Sequence, residues 1–293
     1  MKGDAGMKKL LCLLLVLLIP AGCFGEQAYL PLPTDGPAPY PPVAGAFSED
    51  GLRYDDGTLS IRIERAEAFK SEITYVYIKC TDASQLRTAL AAKFPSRTLR
   101  TVEKIAEENN AVLAINGDYF VYHSQGIVIR NGEELRFQPR TTRDTLIIDA
   151  NGDFTILTNS CKRVWEEGDW SSKAVQAFCF GPALIVDGVE QHFRAKDKVS
   201  CGADTRAQRL AIGQLGPLEY LIVAASGPEQ KKGTGLTIRE LVSLMAEKGC
   251  IQAYNLDGGS SVTICLNGQR INSPQTKNRA VGDIIYFATL REE

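Results

Sequence analysis

The chain has 293 residues, of which 44% are hydrophobic and 23% charged, with a formal net charge of -2. A chain of this length can bury a sizeable core. Its near-neutral charge provides neither a basic field for nucleic acid nor a polybasic patch for a membrane surface, so a substrate has to be recognised by local groups.

At the N-terminus, Lys8 and Lys9 precede an apolar run from Leu10 to Ile19 that stops at Pro20. This is the pattern of an export signal, here residues 1–23. The run is shorter than the ~20 apolar residues that cross a bilayer, so no transmembrane anchor is expected. Ala21-Gly22-Cys23 fits either ordinary signal cleavage or lipid attachment at Cys23. Both outcomes give a protein that is secreted or attached to the cell envelope. Residues 24–46 hold Pro31, Pro33, Pro37, Pro39, Pro41 and Pro42 and read as a semi-rigid tether. Residues 47–293 are then expected to form one domain. Its cysteines are Cys80, Cys161, Cys179, Cys201, Cys250 and Cys265. In an exported chain they predict one or two disulfides, while their wide spacing does not suit a zinc cluster.

Through this domain, β-branched and alternating runs predict strands at Ile61–Ile63, Ile73–Ile78, Ala111–Ile115, Ile127–Ile129, Thr145–Asp149, Phe154–Leu157, Ala183–Val186, Arg209–Ile212, Tyr220–Ala224, Val262–Leu266 and Asp283–Phe287. Asn131-Gly132, Asn151-Gly152, Asp187-Gly188 and Asn267-Gly268 each divide two such runs, and these dipeptides tolerate the positive φ of tight hairpins. Apolar spacing predicts helices over 84–93, 98–109 and 237–248. In the last, Thr237 and Glu240 form a capping box and Gly249 follows the end. The expected fold class is α+β, with a mixed, largely antiparallel sheet system and a few packed helices.

Two segments run an apolar strand directly into Asn, Gly and Asp: Asn116-Gly117-Asp118-Tyr119-Phe120 and Asn255-Leu256-Asp257-Gly258-Gly259-Ser260-Ser261. Either alone reads as a turn. The second adds consecutive glycines whose amides can approach an anion, and the first adds aromatic groups suited to stacking on a sugar. Arg209 opens a predicted strand, Arg130 ends one and Arg279 precedes the last, and a guanidinium fork at such places would match phosphate oxygens. His123 follows the first segment closely, whereas His192 lies in an ordinary polar stretch and reads as a surface residue. Asp and Asn oxygens would also suit a hard divalent cation, although no motif requires a metal or another cofactor.

These segments, together with Gly181-Pro182-Ala183-Leu184, Asp187-Gly188, Arg209-Leu210-Ala211-Ile212-Gly213, Gly235-Leu236-Thr237, Asn272 and Arg279, resemble the phosphodiester glycosidase family over about Ile73 to Phe287. Where that family commonly has Pro-Arg-Thr-Ala, this chain has Gln208-Arg209-Leu210-Ala211. Ser260 stands where a third glycine is frequent. The resemblance implies hydrolysis of a carbohydrate phosphodiester at the anomeric carbon. It implies Asp257 and Asp118 flanking the sugar, with Arg209 and either Arg279 or Arg130 on the phosphate beside the Gly258 and Gly259 amides. Asn116 and Asn255 would orient hydroxyls, with Ser260, Ser261, Tyr119 and His123 lining the substrate. A surface carbohydrate-binding module without turnover and a phosphodiesterase cutting on the phosphate side are the alternatives.

Overall fold

A computed structural model describes residues 29–158, 160–194, 201–228, 233–272 and 279–292. The predicted export signal and Cys23 lie outside the described residues. The fold class is α+β, and every pairing among the described strands is antiparallel. With strands numbered along the chain, the largest sheet runs in the order β1 (Arg53–Asp55), β2 (Leu59–Ala68), β3 (Ser71–Cys80), β14 (Glu219–Ala225), β13 (Arg209–Gly216), β15 (Gln252–Asn255), β11 (Ala183–Val186) and β12 (Val189–Glu190). A second sheet is β7 (Glu133–Gln138), β6 (Gly126–Arg130), β10 (Ala174–Phe178), β8 (Thr145–Asp149) and β9 (Phe154–Leu157). The third is β17 (Gln269–Arg270), β16 (Ile264–Leu266), β5 (Leu113–Asn116), β18 (Asp283–Phe287) and β4 (Leu86–Leu90).

One face of each sheet turns inward onto a common core that includes Ile61, Val76, Ile212 and Ile222 from the first, Leu146, Ile148 and Phe154 from the second, and Ile115, Ile264 and Phe287 from the third. The outer faces are covered separately. Helix α4 (Ile238–Glu247) packs Ile238, Leu241, Val242 and Met245 on the first sheet, and α1 (Val102–Glu108) packs Val102 and Ile105 on the third. Trp165 of α2 (Lys162–Glu167) and Trp170 of α3 (Trp170–Lys173) cover the second. Each helix thus buries an apolar stripe that its sheet face would otherwise expose.

The hairpin signals act as expected. Asn131-Gly132, Asp187-Gly188 and Asn267-Gly268 all have positive φ at both positions, as a type I′ turn requires. At Asn151-Gly152 only the glycine does, and the Asp149 side chain holds the turn by accepting from Asn151 and Asp153 N–H. Thr237 and Glu240 form the predicted capping box on α4. Thr237→Ala is expected to cost about 1 kcal/mol and lower Tm by roughly 2–4 °C, read by thermal unfolding, because the Glu240 N–H loses its acceptor.

Three expectations change. The helix predicted over 84–93 is a single 3-10 turn, Ala83–Gln85, followed by β4, which pairs with β18 from Leu86↔Phe287 to Leu90↔Asp283. The helix predicted over 98–109 starts only at Val102, capped by Thr101, because Arg100 is held extended against Val281. Among the described residues the predicted disulfides are not formed: the six cysteines there are free, with Cys80, Cys179, Cys250 and Cys265 buried. A core shared by three sheets supplies the cohesion for which a small domain would need cross-links.

The described part of the proline-rich segment is also no free spacer. Leu32 and Ala38 are buried beside α1, Leu32 N–H donates to Ser84 Oγ, and Arg87 donates to the Gly36 carbonyl. It is a strap along the third sheet, covering the edge strand β4.

Candidate active site

Residues 116–118, 178–179, 255–261 and 283 gather where β5, β10 and β15 end and β18 begins. Asn116 ties two of these loops together. Its Nδ2 donates to the Asp257 carbonyl at 2.9 Å, and its Oδ1 accepts from Thr263 N–H at 3.1 Å. The side chain is buried and occupied by backbone, so Asn116 fixes the position of the Asp257 loop and is not available to orient a hydroxyl. Next to it, Gly117 is required by space. A Cβ there would stand 2.3 Å from Asp283 Oδ1, while Gly117 N–H donates to the Asp283 carbonyl.

Asp118 is anchored at both oxygens: Oδ1 accepts from Phe120 N–H at 2.9 Å and Oδ2 from Cys179 N–H at 3.0 Å. Arg130 reaches the same Oδ2 at 3.4 Å from the second sheet. That guanidinium is buried and held by ion pairs and carbonyls. It contacts Asp283 Oδ2 through Nε at 2.8 Å and Nη2 at 2.6 Å, donates to the Ile129 and Ala177 carbonyls, and lies over the Phe178 ring at 4.0 Å. Arg130 is thus the cation between two carboxylates, a structural neutraliser and not the phosphate fork expected from its place at a strand end. Asp283, which the sequence marks only as the first residue of a strand, is entirely buried. Burial pushes its carboxyl above the usual carboxylate range against the opposing pull of Arg130.

Asp257 is held differently. Burial raises its pKa to about 6, opposed by the Ser261 hydroxyl and the Arg279 charge and reinforced by the charge of Asp118. Ser261 Oγ lies close enough to lower that pKa without making a hydrogen bond of good geometry. The Gly259 N–H donates to the Gln208 carbonyl at 3.0 Å, so that amide is already used within the fold. Ser260 is half-buried on the same turn.

Arg279 stands beside Asp257 on the open side. Its Nη2 donates to Tyr119 Oη at 2.9 Å, and its guanidinium lies 5.0 Å from the Tyr119 ring centre and 5.5 Å from that of Tyr122. Tyr119 stacks on Tyr122 at 4.2 Å and meets the His123 ring edge-on at 5.3 Å. Asp118, Asp257, Tyr119, His123 and Arg279 are thus brought together from segments remote in the chain.

Arg209 and Asn255 are not. Successive strand residues face opposite ways. Leu210 enters the central core, so Arg209 projects toward the α4 side, where it donates to the carbonyls of Leu236, Cys201, Gly202 and Thr205. Asn255 pairs with Ala211 across the strands, shares that face, and donates to the Gly181 carbonyl. No hydrogen bond or ion pair among the described residues joins either to Asp118 or Asp257, and the Asn255 Oδ1 is buried without a hydrogen-bond partner. Both act as loop ties. His192 is exposed, as expected. Among the described residues, no three His, Cys, Asp or Glu side chains are close enough to hold a metal ion. Arg130 fills the place between Asp118 and Asp283 that a cation would take.

A sequence profile described as phosphodiester glycosidase matches residues 109–288, more than half of the chain. The SPbeta prophage-derived uncharacterized protein YomE of Bacillus subtilis (strain 168) is 23% identical over 239 residues, 79% of this chain. The chain spans only 36% of that relative's length. Among solved structures, the catalytic domain of zebrafish N-acetylglucosamine-1-phosphodiester alpha-N-acetylglucosaminidase superposes with a TM-score of 0.64 at 15% identity, covering 80% of this chain and 85% of that one. A hypothetical protein from Synechocystis gives 0.55 at 14% identity, covering 78% and 62%. At such identities the two superpositions speak for the fold alone.

Proposed function

Since the chain belongs to the phosphodiester glycosidase family, we propose that it is an exported hydrolase that cleaves a sugar-1-phosphodiester at the anomeric carbon and releases free sugar. The observation that carries this reading is Asp257: a buried carboxyl raised to about 6, within reach of the Asp118 charge and beside the Arg279 guanidinium. A carboxyl with that proton affinity exists in both forms near neutral pH, which is what general acid–base work requires. Export rests on the Lys8–Ile19 sequence pattern.

In this mechanism the bond between the anomeric carbon and the phosphate oxygen breaks, and the phosphate departs as a monoester with the electron pair. A phosphate leaving group carries negative charge well and has little need of a proton from an acid. The carboxyl with raised proton affinity is then better used on water. Asp257 takes a proton as water adds to the anomeric carbon. Asp118, held by two N–H donors, faces the positive charge that develops on the sugar, and Arg279 neutralises the phosphate. Tyr119 supplies a ring for the sugar to stack on.

The product distinguishes this reading from its alternatives. Incubation with the methyl diester of an N-acetylhexosamine 1-phosphate should release the free sugar and methyl phosphate. Sugar phosphate with methanol would mean scission on the phosphate side. Saturable binding with no product would identify a carbohydrate-binding module.

A further inference from the structure

Resting on the hydrolytic reading above, we propose a second anion subsite beside Asp118, built from Arg143, Arg136 and His123. The preferred substrate then carries a second phosphate or carboxylate besides the scissile phosphodiester. The three side chains are tied to the site by short links. Arg136 Nη1 donates to the carbonyls of Phe120, at 3.1 Å, and His123, while its Nε is buried without a partner. Arg143 Nη1 approaches the carbonyl of Cys179 at 3.5 Å, the same residue whose N–H donates to Asp118. His123 meets Tyr119 edge-on.

Charge is what sets this group apart. Among the described residues, neither Arg136 nor Arg143 forms a salt bridge to a carboxylate. The acid whose charge acts on Arg136 and His123, Asp118, already has both oxygens bonded and lies against Arg130. The two guanidiniums also act on each other and on His123, whose pKa is lowered first by burial and then by Arg143, with the Asp118 charge opposing. Like charges collected in a half-buried place without a counter-ion repel one another, and an anionic ligand reverses that cost. This group is distinct from Arg279, which serves Asp257.

The two positions lie within the reach of one substrate. Arg279 is 5.0 Å and His123 5.3 Å from the same Tyr119 ring, so they are no more than about 10 Å apart. One hexose with anionic groups at two carbons, or a sugar phosphate esterified to a phosphorylated alcohol, spans such a gap.

The test compares three compounds at low ionic strength. They are the methyl diester of a hexosamine 1-phosphate, the same compound with a phosphate at the sugar C6, and the diester whose alcohol is glycerol 3-phosphate. We expect kcat/KM to rise about tenfold or more for one of the doubly charged compounds, with the responding arm telling whether the second charge sits on the sugar or on the alcohol. In Arg143→Gln that preference should fall to near one, and Arg143→Lys should keep part of it. The ratio of Kd values for the same compounds on Asp257→Asn, by titration calorimetry, gives a reading independent of turnover. Equal values for all three compounds, or a preference that survives Arg143→Gln, would overturn the subsite. A preference in Kd without hydrolysis in the unsubstituted protein would retain the subsite and remove the hydrolase reading, and hydrolysis without a preference would do the reverse.

Discussion

Asp257→Asn should lower kcat on a sugar-1-phosphodiester by about 10²–10⁴-fold while leaving KM within a few-fold, because in the proposed mechanism the side chain that takes the proton from water is replaced by one that cannot. In the unsubstituted protein the base must be ionised, so kcat/KM should rise with pH through about 6, the value to which burial brings Asp257. The rising limb should be missing from the variant. A variant that keeps both its rate and that limb would remove Asp257 from the chemistry. Stability should move the other way. The folded protein holds the Asp257 proton more tightly than the unfolded chain does, so ionising this carboxyl costs stability as pH rises from about 4 to about 6. Asn carries no such cost. The variant should therefore be more stable near pH 7, on the order of 2–3 kcal/mol, an advantage that disappears below about pH 4. Denaturant unfolding at the two pH values checks the sign. A gain in stability with a loss of rate is the trade expected where a carboxyl is kept in a costly place for chemistry.

Arg130→Met is expected to be the most damaging single replacement for the fold, at about 3–5 kcal/mol and roughly 10 °C in Tm. It leaves Asp283 and Asp118 buried in one place without their shared cation. The effect should depend on pH in a defined direction. Asp283 has its proton affinity raised by burial, so its ionisation weakens the folded state as pH rises above the ordinary carboxylate range, and Arg130 opposes that trend. Without Arg130 the deficit should be largest at and above pH 7 and should shrink as pH falls and the carboxyls take up protons. A deficit that is constant from pH 5 to pH 8 would show that Arg130 contributes packing on Phe178 and not charge. Asp283→Asn in the same background should recover part of the loss by removing one of the two orphaned charges.

The difference between what the chain announces and what the fold decides is clearest at β4. Leu86 and Leu90 are four residues apart, a spacing that satisfies a helical period of 3.6 and a strand period of 2 equally well. Pairing with β18 resolves the ambiguity, and β18 lies almost 200 residues further along the chain. The proline-rich strap is similar. Its composition excludes helix and central strand, but nothing in it reveals that Leu32 and Ala38 are buried beside α1.

Arginine placement follows the same logic. Arg130 and Arg209 stand at strand ends and Arg279 shortly before β18, yet one neutralises buried carboxylates, one ties loop carbonyls, and one stays beside Asp257. Arg136, Arg143 and Asp283 carried no local mark. Asp283 in particular reads as the ordinary polar start of an apolar strand.

By itself, then, the sequence determined whatever depends on neighbours a few residues away. These features include the positive-φ hairpins at Asn131-Gly132, Asp187-Gly188 and Asn267-Gly268, the capped helix at Thr237, and the two strand-to-loop segments that carry Asp118 and Asp257. Only the tertiary structure decided which cation meets which carboxylate. Arg130 and Asp283 are 153 residues apart, and the burial that sets the proton affinity of Asp257 exists only once the sheets have closed around it. Hydrogen-bond partners and desolvation are properties of a packed environment, and no local pattern encodes them.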